Sequence, residues 1–369
     1  MRITLDIQSA LANRSGVGRY TYELLRHLPQ ALAPGDSLSA FCFDFHRRAS
    51  ALPVPPAVRI HAVPFPGRVA QALWKRLRFP PFELFAPASD LVHFPAFALP
   101  PLASRRSRVV ATVHDVSFLR LPETTEPKNL AFLSAVIRPS VARADLILTD
   151  SEFSRTEIAE TLSVPPDKIR AIPLGLSGDI SLDGAVLPPP PVEGPYLLFV
   201  GNLEPRKNLP LLIRAFDAVD TPDLSLVLAG GRGWKNEAIF EAMRNAKKAN
   251  KIRYLQYVTD EVLRSLYAHA AAFVFPSLYE GFGLPPLEAA AAGVPVVCAR
   301  NSSLPEVLGD AALWVEENRL DAWVEAIEGL LSDSALRARL SAAGKRQAAR
   351  FTWDETARRT VAAYREAAR

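Results

Sequence analysis

At 369 residues, 49% of them apolar and 22% charged, with a mean hydropathy of +0.07, the chain reads as soluble and globular and is too long for one ordinary core. Disordered, collagen-like and disulfide-scaffold classes are excluded by that composition, and no run approaches the ~20 apolar residues of a membrane span. The net charge of +4 is unevenly spread: residues 1–177 hold 21 Lys and Arg against 15 Asp and Glu, the remainder 22 against 24. A basic first half suits an anionic partner such as a phosphate group or a membrane surface. Nucleic acid fits poorly, because no binding module or basic-aromatic repeat appears.

In chain order, RITLDI (2–7) is a first strand. The N-terminus lacks the continuous apolar core of a signal peptide, so the expected location is cytoplasmic. The next stretch, ALANRSGVGRYTYELL, places Gly16 and Gly18 between that strand and a helix over 19–28. Two glycines there let backbone approach an anion at the helix N-terminus, and a plain loop fits them as well. They are no dinucleotide fingerprint, since Thr21 holds the third glycine position. Cys42 and Cys298 are the only cysteines and each lies alone in an apolar stretch. Two small buried hydrophobes are expected, with no disulfide or metal site.

GRVAQALWKRLRFPPFELF (67–85) sets Trp74, Leu77 and Phe79 among Arg68, Lys75, Arg76 and Arg78. A helix lying on an anionic membrane and a solvated basic helix with an inward apolar side both fit that pattern. RVVATVHD (108–115) is a strong strand ending in His114 and Asp115, followed by LILTD (146–150). A strand-end histidine is either structural or functional, and its position at a carboxyl end favours function. Residues 177–195 then break the rhythm with four consecutive prolines, a semi-rigid linker. The resulting division is 1–177, a linker at 178–194, 195–350, and a helix from 351 that is capped by Thr352 and returns to the N-terminal domain.

Past the linker, YLLFVG (196–201) leads through Gly201 into Arg206 and Lys207 and a helix over 209–219. A glycine turn followed by fixed and mobile positive charge at a strand-to-helix switch is a phosphate-binding constellation. It lacks the Walker spacing. LSLVLAG (224–230), AFVFPS (272–277) and VPVVCA (294–299) are further strands, and DEVLRSLYAHA (260–270) is a helix. Val-, Ile- and Leu-rich strands alternating with helices predict doubly wound parallel sheets covered on both faces.

The stretch SLYEGFGLPPLEAAAAGVPVVCA contains Glu280 and Glu288. Gly281 and Gly283 turn the chain, Pro285 or Pro286 opens a helix, and Gly293 with Pro295 closes it. Glu280 then lies in the loop and Glu288 one turn inside the helix. Paired carboxylates can be an acid and base, a metal site, or two grips on hydroxyl groups. Vicinal hydroxyls of a sugar or ribose pair well with carboxylate oxygens beside free helix N-terminal amides. Metal chemistry fits poorly, because there is no D-x-D and no histidine pair at ligand spacing.

GVGRYTYELL, TVHDVSFLRLPE, LTDSEFS, FVGNLEPRKNL, LQYVTDEVLRSLY and FPSLYEGFGLPPLEAAAAGVPVV together resemble the retaining glycosyltransferases of family four, over nearly the whole chain. The resemblance implies the GT-B fold, two Rossmann-like doubly wound domains facing across a cleft. It implies that Arg206 and Lys207 clamp a donor diphosphate and that Glu288 holds the ribose. Glu280 and the backbone of Gly281, Phe282, Gly283 and Leu284 then grip the transferred sugar. Main chain near Tyr257 and Val258 reads the base, Gly16 brings an amide to the β-phosphate, and His114 contacts the donor sugar. Many members carry Arg after the glycine of strand 196–201, where this chain has Asn202.

The implied reaction moves a hexose, mannose or rhamnose, from a nucleotide-sugar donor, GDP-linked in this subgroup, to a saccharide or polyprenyl-diphosphate-linked acceptor. The anomeric configuration is retained, no metal or cofactor is required, and the product serves surface polysaccharide or lipopolysaccharide synthesis. Peripheral attachment to the inner membrane through 67–85 belongs to the same picture. A UDP-sugar enzyme and an inactive sugar-binding homologue are the competing readings. On this view Lys207→Ala lowers turnover with little loss of folding stability.

Overall fold

Runs rich in Val, Ile, Leu and Phe form thirteen strands among the described residues, arranged as two all-parallel sheets. The computed structural model describes residues 1–11, 16–49, 52–103, 106–177, 187–316 and 318–369, without the side chain of Lys75. Most of the proline-rich linker (178–186) therefore lies outside the described residues.

The first sheet comprises β1 (Arg2–Asp6), β2 (Ser37–Phe43), β3 (Val58–Val63), β4 (Leu91–Phe94), β5 (Arg108–Thr112), β6 (Leu146–Thr149) and β7 (Ile169–Ala171). Their order is β3-β2-β1-β4-β5-β6-β7. The second comprises β8 (Tyr196–Val200), β9 (Ser225–Ala229), β10 (Ile252–Gln256), β11 (Ala272–Phe275), β12 (Val296–Ala299) and β13 (Ala312–Val315), ordered β10-β9-β8-β11-β12-β13. Each order doubles back once, between β1 and β4 and between β8 and β11. In such sheets the crevice for a ligand opens beyond the carboxyl ends of the two strands at that reversal.

Burial follows the pattern expected of doubly covered strands: all four residues of β4, β6, β11 and β12 are buried. Cys42 and Cys298 sit in β2 and β12, buried and unbridged. Residues 1–116, 131–175 and 352–369 make one compact unit, and 117–130 with 176–351 make the other. In the second unit Trp234 Nε1 donates to the Thr124 carbonyl at 2.9 Å and Lys235 Nζ to that of Glu123 at 2.5 Å, which fixes 117–130 there. In the first, the helix Trp353–Ala367 starts from Thr352, whose hydroxyl accepts from Glu355 N at 3.3 Å. That helix buries Trp353, Val361 and Tyr364.

Two boundaries differ from the sequence expectation. The strand read as 108–115 stops at Thr112, and Val113 N makes its last ladder bond, to the Leu148 carbonyl of the neighbouring strand. His114 therefore lies past the strand. Gly16 and Gly18 are not in a connecting loop: a short helix (Gln8–Leu11) follows β1, and the long helix Gly16–Ala31 begins at Gly16. Burial of Tyr20, Leu24, Leu25 and Leu28 along one face outweighs the poor helix propensity of two glycines.

Candidate functional site

In the second unit, β8 and β11 are hydrogen-bonded neighbours, so the loops leaving their carboxyl ends meet. The loop after β8 passes through Gly201 and Glu204 into a single 3₁₀ turn, Pro205–Lys207, and Asn208 turns left-handed at φ 54° before the helix Leu209–Ala218. Gly201 and Gly230 have φ of +150° and +142°, and a Cβ on Gly230 would stand 2.1 Å from the Gly201 carbonyl oxygen. The backbone after β9 thus packs directly on Gly201, and it is the missing Cβ of Gly230 that permits the approach.

The loop after β11 brings Glu280 onto the two cations. Lys207 Nζ donates to Glu280 Oε1 at 2.5 Å, and Arg206 Nη1 lies 3.1 Å from Glu280 Oε2. Ser277 Oγ donates to the same Oε1, and Arg206 Nη2 pairs with Glu204 at 2.8 Å. Arg206 also donates to the Tyr279 carbonyl, and the Lys207 ammonium sits 5.0 Å over the Phe275 ring. Lys207 is 7% exposed and Glu280 6%. Burial alone would raise the Glu280 carboxyl, but Arg206 and Lys207 outweigh it and hold it at about 2. Burial, helped by the charge of Arg206, draws Lys207 below the ordinary lysine value against the pull of Glu280.

Oε1 of Glu280 thus meets Lys207 and Ser277, and Oε2 meets Arg206. The carboxylate registers the cation pair and keeps acceptor capacity on Oε2. Loss of Lys207 would strip this buried carboxylate of one of its two counter-charges, which runs against the expectation of little effect on folding. Sequence reasoning missed Glu204, Ser277 and Tyr279 in this cluster. Glu204 stands two residues before Arg206, and that spacing was the available signal.

Glu288 lies in the helix Leu284–Ala291, which opens on Gly283 at φ 99° with Pro285 in its first turn. Glu288 is 3% exposed, and its carboxylate accepts from Tyr267 Oη at 3.0 Å. A Cβ on Gly283 would fall 2.7 Å from Leu304 Cδ2, so glycine is needed there for space and for conformation. Phe282 is buried edge-on against Phe351 at 5.7 Å. Gly281 lies beside it, and Leu284 begins the helix whose first-turn amides lack intrahelical acceptors. Tyr257 is 53% exposed just beyond β10, next to the half-buried Val258.

The remaining expected residues belong to the first unit. His114 Nδ1 lies 2.8 Å from Asp150 Oδ2 and Nε2 lies 3.1 Å from the Pro95 carbonyl oxygen. Tyr20 meets the His114 ring edge-on at 4.9 Å. Asp150 and Pro95 are further residues that sequence reasoning passed over, although LTDSEFS ends a strand just as TVHD does. The helix Gly67–Leu77 has one packed side and one exposed side. Ala70 and Trp74 pack inward against Phe41, Phe43 and Phe82, while Val69 (46% exposed), Leu77 (66%) and Phe79 (60%) face solvent beside exposed Arg68, Arg76 and Arg78. No helix among the described residues is long and apolar enough to cross a membrane.

Comparison with known proteins adds the following. Residues 14–178 match the model described as Glycosyltransferase Family 4, and residues 188–347 the one described as Glycosyl transferases group 1. The chain is 38% identical over 290 residues to O-antigen chain mannosyltransferase B of Escherichia coli, covering 74% of each protein. It is 29% identical over 219 residues to O-antigen chain mannosyltransferase RfbU of Salmonella typhimurium, covering 59% of this chain and 60% of that one. Among solved structures, sucrose-phosphate synthase from Thermosynechococcus elongatus aligns over 99% of this chain and 98% of its own, with a TM-score of 0.76 at 19% identity.

Proposed function

The chain belongs to the family-four glycosyltransferases, and from that membership we propose that it transfers mannose from GDP-mannose to a saccharide or polyprenyl-linked saccharide acceptor, with retention and without a metal ion. Two O-antigen mannosyltransferases among its relatives support the sugar and the setting in surface-polysaccharide synthesis.

The observation that carries the reading is the cation pair of buried Lys207 and partly buried Arg206, held by Glu280 at the point where the second sheet reverses direction. A departing diphosphate develops charge on its bridging oxygen. Two cations fixed in advance, in a site screened from water, stabilise that charge without reorganising. The bond from the anomeric carbon to phosphate breaks as the acceptor oxygen bonds on the same face, and the acceptor proton passes to the leaving phosphate oxygen. Every charge in this scheme is met by a protein cation, an amide or the phosphate itself, so neither a protein nucleophile nor a metal is required. Glu288, fixed by Tyr267, holds the ribose hydroxyls, and exposed main chain near Tyr257 and Val258 reads the base edge. The exposed Val69, Leu77 and Phe79 among arginines would bring the first unit to an anionic membrane, where a lipid-linked acceptor resides.

A thermal-shift panel with GDP, UDP and ADP tests the donor, because only a nucleotide that binds the folded protein raises its melting temperature. Stabilisation by GDP, followed by GDP release from GDP-mannose in the presence of acceptor, is the expected result. Stabilisation by UDP alone overturns the donor assignment. Binding of GDP-mannose without turnover on any saccharide acceptor overturns the catalytic one.

A further inference from the structure

The two partners of His114 are both hydrogen-bond acceptors at neutral pH. A carboxylate and a backbone carbonyl oxygen have no proton to give. With Asp150 Oδ2 at 2.8 Å from Nδ1 and the Pro95 oxygen at 3.1 Å from Nε2, both ring nitrogens must donate. A ring that donates twice is an imidazolium. We infer that Asp150 is a positioning residue that, with the Pro95 carbonyl, keeps His114 doubly protonated through the working pH range, so that His114 serves glycosyl transfer as a fixed cation and not as the base that takes the acceptor proton. The inference rests on the proposed reaction only in its second half; the charge state stands on the geometry.

The surroundings agree. Burial would depress the His114 pKa, yet the charge and hydrogen bond of Asp150, the charge of Asp115 and the Pro95 carbonyl raise it above the ordinary histidine value. Asp150 is 4% exposed, so its attraction is little screened; burial also raises its own carboxyl above the ordinary value, against the charge and hydrogen bond of His114 that hold it ionised. Two further groups near the ring stay uncharged. Tyr20 meets it edge-on at 4.9 Å, and burial keeps that phenol protonated. His93, on the adjacent strand β4, is fully buried between Tyr364 Oη at 2.6 Å and Thr112 Oγ1 at 2.8 Å. Burial, with the charge of His114, lowers it to about 3, so it stays neutral. Two histidines, one in β4 and one just past β5, thus take opposite states: one is bonded to hydroxyls that can give or accept, the other to oxygens that only accept. Separated proton affinities of this kind divide roles within a site.

The role also follows from which atoms are occupied. A base needs a lone pair directed at the proton it removes. Neither nitrogen of His114 has one. What the ring offers is a positive charge at the carboxyl side of the first sheet.

The test uses the full-length protein with ¹⁵N-labelled histidine, the His114 signals being assigned by their loss in His114→Gln. Both ring nitrogens should show protonated shifts at pH 7 in the wild type. In Asp150→Asn one nitrogen should lose its proton near neutral pH, kcat should fall roughly a hundredfold, and Asp150→Glu should restore both. A singly protonated His114 at pH 7 in the wild-type protein overturns the inference, and because that spectrum needs no variant, misfolding of Asp150→Asn cannot mask it. An imidazolium in the wild type with unchanged kcat and pH profile in a folded Asp150→Asn overturns the catalytic half alone. GDP-mannose turnover by the wild type separates this failure from failure of the proposed function.

Discussion

Lys207 Nζ stands 2.5 Å from Glu280 Oε1, both side chains buried, and the two residues are 73 positions apart in the chain. That ion pair, which Arg206 shares at 3.1 Å, is at once the electrostatic centre of the candidate site and a structural tie between the loops that follow β8 and β11.

Removing one member should therefore affect stability as well as turnover. Lys207→Ala is expected to abolish measurable transfer and to lower unfolding free energy by about 3 kcal/mol, since it leaves buried negative charge short of a partner. Lys207→Met combined with Glu280→Gln should recover most of that stability and none of the activity. Denaturant unfolding of the single and double variants, read beside GDP release, checks both halves. A stable, inactive Lys207→Ala would show that the pair has no structural part.

Acid should expose the same tie. Glu280 is held at about 2 against an ordinary value of 4.5, so its folded-state pKa is depressed. A depressed carboxyl stabilises the fold above its unfolded pKa, and the contribution is lost as pH falls from about 4.5 towards 2. Its size is about 3 kcal/mol. Glu280→Gln should flatten the stability profile of the second unit across that window, as followed by the fluorescence of Trp234 and Trp314.

Asp6 should show the opposite sign. Burial lifts this carboxyl at the end of β1 to about 6, against one opposing hydrogen bond from Gln8 N. Ionising it costs stability, fully above pH 6 and not at all below its unfolded pKa near 4. Asp6→Asn is expected to stabilise the protein at pH 8 by about 1–3 kcal/mol and to leave it unchanged at pH 3.5. Melting temperatures at the two pH values decide this.

Glu288 and Tyr267 should separate donor binding from chemistry. Glu288→Gln keeps the shape but weakens the grip on vicinal hydroxyls, so the KM for the nucleotide-sugar should rise tenfold or more with a smaller change in kcat. Tyr267→Phe removes one hydrogen bond to that carboxylate and should cost about 1 kcal/mol of donor affinity. Isothermal titration with GDP measures both, and an unchanged Kd in Glu288→Gln removes it from the ribose site. Added EDTA should leave turnover intact.

The exposed face of the helix Gly67–Leu77 gives a fifth expectation. Leu77→Asp with Phe79→Asp should release the protein from vesicles containing phosphatidylglycerol while leaving GDP binding unchanged, since neither residue is in the core. Binding to neutral phosphatidylcholine vesicles should be weak at all times, and cosedimentation reports both.

Much of the architecture was legible because strand and helix patterns are local. The runs that became β1, β6, β8, β9, β11 and β12 are short, apolar and rich in branched residues, and the glycine and proline punctuation around Glu288 marks its helix within a residue or two. β2 was visible only as the apolar stretch around Cys42. β3, which is largely exposed at the sheet edge, and the three-residue β7 carry too little pattern to be read alone. The order of motifs along the chain likewise identified the family without reference to any contact.

The sequence by itself thus determined the alternation of strands and helices, the glycine turns at Gly201 and at Gly281–Gly283, and the placement of the charged residues near strand ends. What it could not determine was which charges neutralise which. Those partners are set by sheet order: β8 beside β11 brings Lys207 to Glu280, and β5 beside β6 brings His114 to Asp150. Parallel neighbours end at the same edge of a sheet, so their following loops meet whatever the length of chain between them. Periodicity fixes where a strand lies along the chain, and only its packing against non-sequential neighbours decides whether an exposed-looking cation is solvated or buried in a pair.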